Sequence, residues 1–250
     1  MSALMTAELA CPQEQLRLQG YLIVRNFFPV TEITKVRQAQ DAYYQGEINT
    51  APAFNWPNPR LSKARSRKHP YASFFRSEIS TLLRDGRLAR LLLETTGLPS
   101  IRFWHDQLLY EEPRQKSETK YHWHQEETRW KTCQATEMLT AWIPLIDFSH
   151  DMGPITIVPR DHDLSDHKRM TLNQGDLVIF DKTITHGNPQ NFGKIPRRAL
   201  AAHFATGDLH YQPSGKFSHI NERLVRTKNG VPDFTDPAVC PLLAPDYQGQ

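Results

Sequence analysis

The stretch HGNPQNFGKIPRRALAAHFA, residues 186–205, joins a polar, turn-rich segment to an apolar run. Its second half, RALAAHFA (198–205), reads as a strand. Four similar runs precede it: IRFWHDQLLY (101–110), EMLTAWIPLI (137–146), PITIVP (154–159) and GDLVIF (175–180). Short strands separated by turn residues predict a sandwich or barrel, not a parallel sheet with helical crossovers.

Upstream the pattern differs. GYLIV (20–24) is one more strand candidate. After Pro29, Thr31 can cap a helix whose Ile33, Val36 and Tyr43 recur at helical spacing, with Gly46 at its end. Residues 46–70 carry four prolines and a basic cluster and predict a long loop or lid. Ser80 to Thr96 predicts a second helix, closed by Gly97. Helices first and strands later give an α+β chain with a mainly β core. One domain over residues 1–250 is expected, with its core at about 20–205 and residues 206–250 as an extension over the surface.

The 250 residues are 39% hydrophobic and 23% charged, as in globular proteins. A net charge of +3, without an aromatic-studded basic stripe, argues against nucleic acid as a partner. Three cysteines far apart, Cys11, Cys133 and Cys240, argue for a reducing compartment. No signal-like start and no membrane-spanning run is visible, so a cytoplasmic location without membrane association is expected.

The chemistry is concentrated in YHWHQEETRW, residues 121–130. Side chains two apart on an extended chain point the same way, so His124 and Glu126 can grip one cation from one side. Taken alone, the pair is as well explained by a surface imidazole and a solvated carboxylate. His186 is the best third ligand. Two histidines and one carboxylate with open positions suit non-haem Fe(II) and its oxygen chemistry. Eleven residues after His186 come Arg197 and then Arg198. A guanidinium there could hold a dicarboxylate through two parallel hydrogen bonds, and strand alternation lets only one of the two point inward.

In ordered combination, FWHDQLLYEEP, WHQE, TAWIPLID, MGPITIVPRDH, GDLVIF and THGNPQN...RRALAAHFA resemble the phytanoyl-CoA dioxygenase family of Fe(II)/2-oxoglutarate oxygenases, over roughly residues 20–205. The resemblance implies a double-stranded β-helix (jelly roll) with flanking N-terminal helices. It also implies Fe(II) on His124, Glu126 and His186, with 2-oxoglutarate and O2 as co-substrates. It assigns the co-substrate arginine to Arg197 and places Gln107 and Trp142 beside 2-oxoglutarate, although Trp142 fits core packing equally well.

Two departures stand out. Glu126 replaces the family's usual aspartate, and a carboxylate at that place favours hydroxylation over halogenation. A lysine common in relatives near Glu111 or Glu112 is missing, which leaves its task to Arg197, Lys116 or Lys120. The expected reaction oxidises a C–H bond of a small polar or anionic metabolite, with succinate and CO2 released; hydroxylation, dealkylation and desaturation are the possible outcomes. Trp56, Arg129 and Trp130 are candidate substrate contacts. The basic cluster Arg60, Lys63, Arg65, Arg67, Lys68 and His69 could attract an anion, or be a solvated charged face. The competing readings are a zinc hydrolase using the same triad, which gives Arg197 no task, and an inactive binding module on this fold.

Overall fold

A computed structural model describes residues 11–57, 64–114, 122–214 and 219–243. The chain begins with helix α1 (Pro12–Gln19), strand β1 (Tyr21–Val24) and helix α2 (Val30–Tyr44). Strand β2 (Ser66–Pro70), helices α3 (Ser77–Leu83) and α4 (Gly86–Thr96) and strand β3 (Ile101–Glu111) follow. The remaining strands that shape the site are β4 (Cys133–Gln134), β5 (Met138–Pro144), β6 (Thr156–Ile157), β7 (Lys168–Arg169), β8 (Leu177–Asp181), β9 (His186–Gly187) and β10 (Arg197–Thr206).

A six-stranded antiparallel sheet in the order β1-β8-β5-β10-β3-β2 forms one wall. A smaller sheet, β7-β6-β9, forms the other, and a bridge pairs His124 with His186 at its margin. Strand neighbours in space but not in sequence, with every described pairing antiparallel, make this the α+β jelly roll that the sequence predicts.

Strand alternation divides the large sheet cleanly. Leu22, Leu139, Ala141, Ile143, Ile179, Leu200, Ala202 and Phe204 face outward and are buried against Ile33, Val36, Leu82, Leu88 and Leu92 of the helices. Each such Leu, Ile, Val or Phe side chain contributes roughly 1.5–3 kcal/mol through burial. The opposite face, turned into the roll, carries Trp142, Val178, Phe180, Ala199 and Ala201 in one cluster with Ile155 and Ile157 of the small sheet. The registers Arg197↔Glu111, Ala201↔Gln107, His203↔His105, Ala201↔Trp142 and Lys68↔Leu109 put Lys68, His105, Gln107, Glu111, Trp142, Arg197 and His203 on that same inner face.

Several sequence-based boundaries change. The long loop ends in a strand: Ser66–Pro70 pairs with β3 as the edge of the sheet, where a terminal proline loses no ladder bond. Residues 58–63, which include Arg60 and Lys63 of the basic cluster, lie outside the described residues. The expected helix over 80–96 is two helices. Asp85 breaks it and caps α4, accepting a hydrogen bond from the Arg87 amide at 2.7 Å. Thr31 is not a cap, because α2 already starts at Val30 behind Pro29. Helix α1 was not anticipated: only Leu16 is buried along it, too little for a periodic signal.

Candidate metal centre

The two histidines are held by backbone first. The amides and carbonyls of His124 and His186 exchange hydrogen bonds, both 3.0 Å long. Gln125 between His124 and Glu126 is extended (φ −119°, ψ 141°), so these two share a side as the spacing predicts. The chain then turns through a short 3-10 helix, Glu126–Thr128. The imidazole planes are tilted by 52° with centroids 4.2 Å apart. Glu126 Oε1 stands 3.6 Å from Nε2 of each. Among the described residues this is the only group of three such side chains whose donor atoms converge, all within 4.8 Å.

The rings are oriented from behind. His124 Nδ1 lies 2.9 Å from the His122 carbonyl and His186 Nδ1 lies 3.0 Å from the Ile184 carbonyl. A carbonyl can only accept, so each Nδ1 carries the proton and donates. Each Nε2 therefore presents its lone pair inward, the tautomer a metal ligand needs. Burial would raise the Glu126 pKa, but hydrogen bonds from the His124 and His186 rings when Nε2 is also protonated, with charge from protonated His203 and His186, outweigh it and hold the carboxyl well below its usual range. Two lone-pair nitrogens and one carboxylate fit a divalent first-row ion.

Arg197 is inward and Arg198 is not. The Arg198 guanidinium pairs with Asp41 of α2 at 2.6 Å and lies over the Tyr110 ring. Arg197 is 9% exposed. Its Nη1 donates to the carbonyls of Gly153, Pro189 (2.7 Å) and Met152 (3.5 Å), and its Nη2 pairs with the Glu111 carboxylate. Burial lowers the Arg197 pKa, and Glu111 opposes that shift. Arg197 and His124 line one cavity of about 280 Å³ with Lys68, Glu111, His122 and Arg129 among its other walls. Lys68 reaches water through the open mouth yet is surrounded by protein, which lowers its pKa; Glu126 opposes the shift and Arg129 adds to it.

The other anticipated residues divide. Gln107 faces inward, 3.5 Å from His105 Nε2. Trp142 is buried against Phe148, and its indole nitrogen has no partner. Trp130 is buried with His105 and His203 at 6.2 and 5.1 Å between ring centroids. Trp56 packs on Tyr71 at 4.8 Å, beside the helix-side core and away from the residues lining the cavity. Lys116 and Lys120 lie outside the described residues.

Sequence reasoning missed a histidine cluster behind Trp130. His105 and His203, paired across β3 and β10, have centroids 4.3 Å apart, and His219 lies 4.7 Å from His105. Burial keeps all three neutral, with His203 pulled down to about 3 and His219 to about 4. The alternation of β3 and β10 was readable, but nothing in the sequence gave their register.

The phytanoyl-CoA dioxygenase family model matches residues 16–199. Human peroxisomal phytanoyl-CoA dioxygenase is 22% identical over 225 residues, 77% of this chain and 67% of that protein. Among solved structures, the non-haem α-ketoglutarate-dependent carbocyclase SnoK from nogalamycin biosynthesis aligns with a TM-score of 0.70 at 21% identity, over 93% of this chain and 95% of its own. The epimerase SnoN from the same biosynthesis, in complex with Fe3+, α-ketoglutarate and nogalamycin RO, gives 0.70 at 18% identity, over 92% and 96%. EctD from S. alaskensis, with 2-oxoglutarate and 5-hydroxyectoine, gives 0.60 at 16%, over 82% and 81%. With a family match that spans most of the jelly roll and includes His124, Glu126, His186 and Arg197, the chain belongs to the phytanoyl-CoA dioxygenase family.

Proposed function

We propose that the chain is an Fe(II)- and 2-oxoglutarate-dependent oxygenase that hydroxylates a C–H bond of a small polar or anionic metabolite. The observation that carries this reading is the shared cavity: His124 at one part of its wall and the buried Arg197 guanidinium at another. A metal ligand and a fixed cation in the wall of one cavity suit a keto acid with a distal carboxylate. Human phytanoyl-CoA dioxygenase and the Fe- or keto-acid-bound structures of SnoN and EctD support the same assignment.

When bound, Fe(II) and 2-oxoglutarate supply the oxygen chemistry that no side chain offers, with succinate and CO2 as co-products. The chain's own residues do the rest. His124 and His186 keep their Nδ1 protons on backbone carbonyls, so their ring planes and donor atoms are set beforehand. Glu126 stays anionic across the working range. Arg197 holds the distal carboxylate, its guanidinium fixed by three backbone carbonyls. Lys68 and Arg129 line the same cavity and make it attractive to anions. Trp130, buried beside the neutral His105 and His203, excludes water from the adjoining interior.

The test is a panel of metabolites scored by succinate formation in the presence of Fe(II), 2-oxoglutarate, ascorbate and O2, with mass spectrometry of the products. Substrate-stimulated succinate and a product heavier by one oxygen are expected. A product changed only in ring closure or configuration would move the chain toward the chemistry named for SnoK and SnoN. Protein that takes up zinc in preference to Fe(II) and binds no 2-oxoglutarate would defeat the proposal.

A further inference from the structure

Glu111 and its neighbour Glu112 mark the short stretch near which the resemblance implies a lysine, and Glu111 does the reverse of a lysine's work. The β3–β10 register sets it directly opposite Arg197, and its Oε2 pairs with Arg197 Nη2. Both side chains are nearly buried, about a tenth exposed. Arg197 Nη1 is already committed to backbone carbonyls, so its remaining donors are Nε and Nη2, and Glu111 holds part of that edge. A second carboxylate reaching this guanidinium must share it with a like charge a few ångströms away, in surroundings that screen poorly.

A second cation is at hand. Glu111 Oε1 lies 3.5 Å from Arg114 Nε, and the Arg114 side chain is 43% exposed. Its backbone is anchored, because the Arg114 amide donates to the Asn191 carbonyl at 2.8 Å. Asn191 is fully buried and also holds the Glu111 carbonyl at 3.0 Å. The peptide around Glu111 is thus fixed while its carboxylate has two cations to choose between.

We propose that Glu111 is a built-in carboxylate that occupies Arg197 until 2-oxoglutarate arrives and then passes to Arg114, so that the Glu111–Arg114 pair sets the affinity for the co-substrate. This rests on the oxygenase reading above. It makes Glu111 a positioning residue of the co-substrate pocket. It also predicts looser co-substrate binding than a lysine at the same place would give, since the guanidinium must first give up an internal partner.

The experiment is anaerobic calorimetric titration of 2-oxoglutarate into Mn(II)-loaded protein, repeated with 2-oxobutyrate, which has the same keto-acid head and no distal carboxylate. Glu111→Gln keeps the shape and removes the charge. It should tighten 2-oxoglutarate on the order of tenfold, as expected for neighbours in one charge network, and leave 2-oxobutyrate unchanged. Arg114→Ala should weaken 2-oxoglutarate about threefold in the parent and have no effect in the Glu111→Gln background. Should Glu111→Gln melt early, Arg114→Ala, at an exposed side chain, decides alone: unaltered 2-oxoglutarate affinity overturns the proposal. Equal effects of Arg114→Ala in both backgrounds overturn the hand-over. Parent protein that binds 2-oxoglutarate while Glu111→Gln binds it no better overturns the role of Glu111 and leaves the oxygenase reading standing. Absence of 2-oxoglutarate binding in the parent and both variants removes that reading and this inference together.

Discussion

At residue scale, the atom behind each ring separates the two ligand histidines from the buried histidines next to them. His124 and His186 each have a carbonyl holding Nδ1, whereas His105 Nδ1 and His203 Nε2 are buried with no partner. Removing one of three ligands from a metal site removes function outright. His186→Ala is therefore expected to lower 2-oxoglutarate turnover by at least about a hundredfold, with melting behaviour near the parent's. Persistent succinate formation in that variant would disqualify His186. The neighbouring arginines give a sharper contrast. Arg197→Ala should raise the KM for 2-oxoglutarate by about a hundredfold, the cost of a lost buried charge-assisted contact. Arg198→Ala removes a partly exposed pair with Asp41 and should cost under about 1 kcal/mol of stability with kinetics unchanged. Steady-state kinetics of the two side by side decide it, and an inverted order would mean that the inner face has been misassigned.

At the scale of elements, two backbone features support the site. Gly153 has φ +66°, and a Cβ there would sit 2.9 Å from Arg197 Nη1 and closer still to the Pro189 carbonyl. Gly153→Ala should cost about 1–3 kcal/mol through the left-handed backbone and this crowding. It should also weaken 2-oxoglutarate, because the displaced carbonyls are those that fix the guanidinium. Equilibrium denaturation together with co-substrate titration tests both parts, and wild-type values in the two would show that the turn yields freely. Asp85→Ala, at the break between α3 and α4, should cost about 1 kcal/mol of cap energy and leave turnover intact.

These elements also show what the sequence could and could not disclose. The pair His124–Glu126 and the pair His186–Arg197 were each legible because a short interval joins chemically restrictive residue types, although 62 positions separate His124 from His186. The sandwich was legible because apolar runs alternate with turn residues. The α3–α4 break was readable in Asp85-Gly86 but was masked by the leucines on either side. The Glu111–Arg197 pair was not readable at all. It depends on the register of strands 86 positions apart, which no local pattern encodes. Lys68 was seen only as part of a basic run, since its inward direction comes from pairing with Leu109.

For the whole molecule, the buried histidines make stability depend on pH. His203 and His219 are depressed to about 3 and about 4 by burial, and His105 is depressed as well. The unfolded chain binds these protons near pH 6.5 and the folded chain does not. Stability therefore falls as pH drops from about 6.5 toward 4, by up to about 1.4 kcal/mol per pH unit for each imidazole fully engaged. Asp106 acts the other way: burial raises it to about 6, against the Ser73 hydrogen bonds, so the folded state gains its proton over an overlapping range. Burial also lowers His69 and raises Glu137, so four imidazoles stand against two carboxyls, and the urea midpoint should fall as pH goes from 7 to 5. A flat midpoint over that range would show that the cluster is hydrated or already charged in the folded state. No helix among the described residues is long and apolar enough to cross a membrane.

The peptide bridge between His124 and His186 acts as a ruler. The gap between the two imidazoles is graduated by the pitch of a strand pair, not by the loops that lead into it. Those loops can lengthen, shorten or change sequence without recalibrating the jaw that closes on the ion. A lineage built on this fold is thus free to trade one substrate for another while its grip on the metal stays at the same setting.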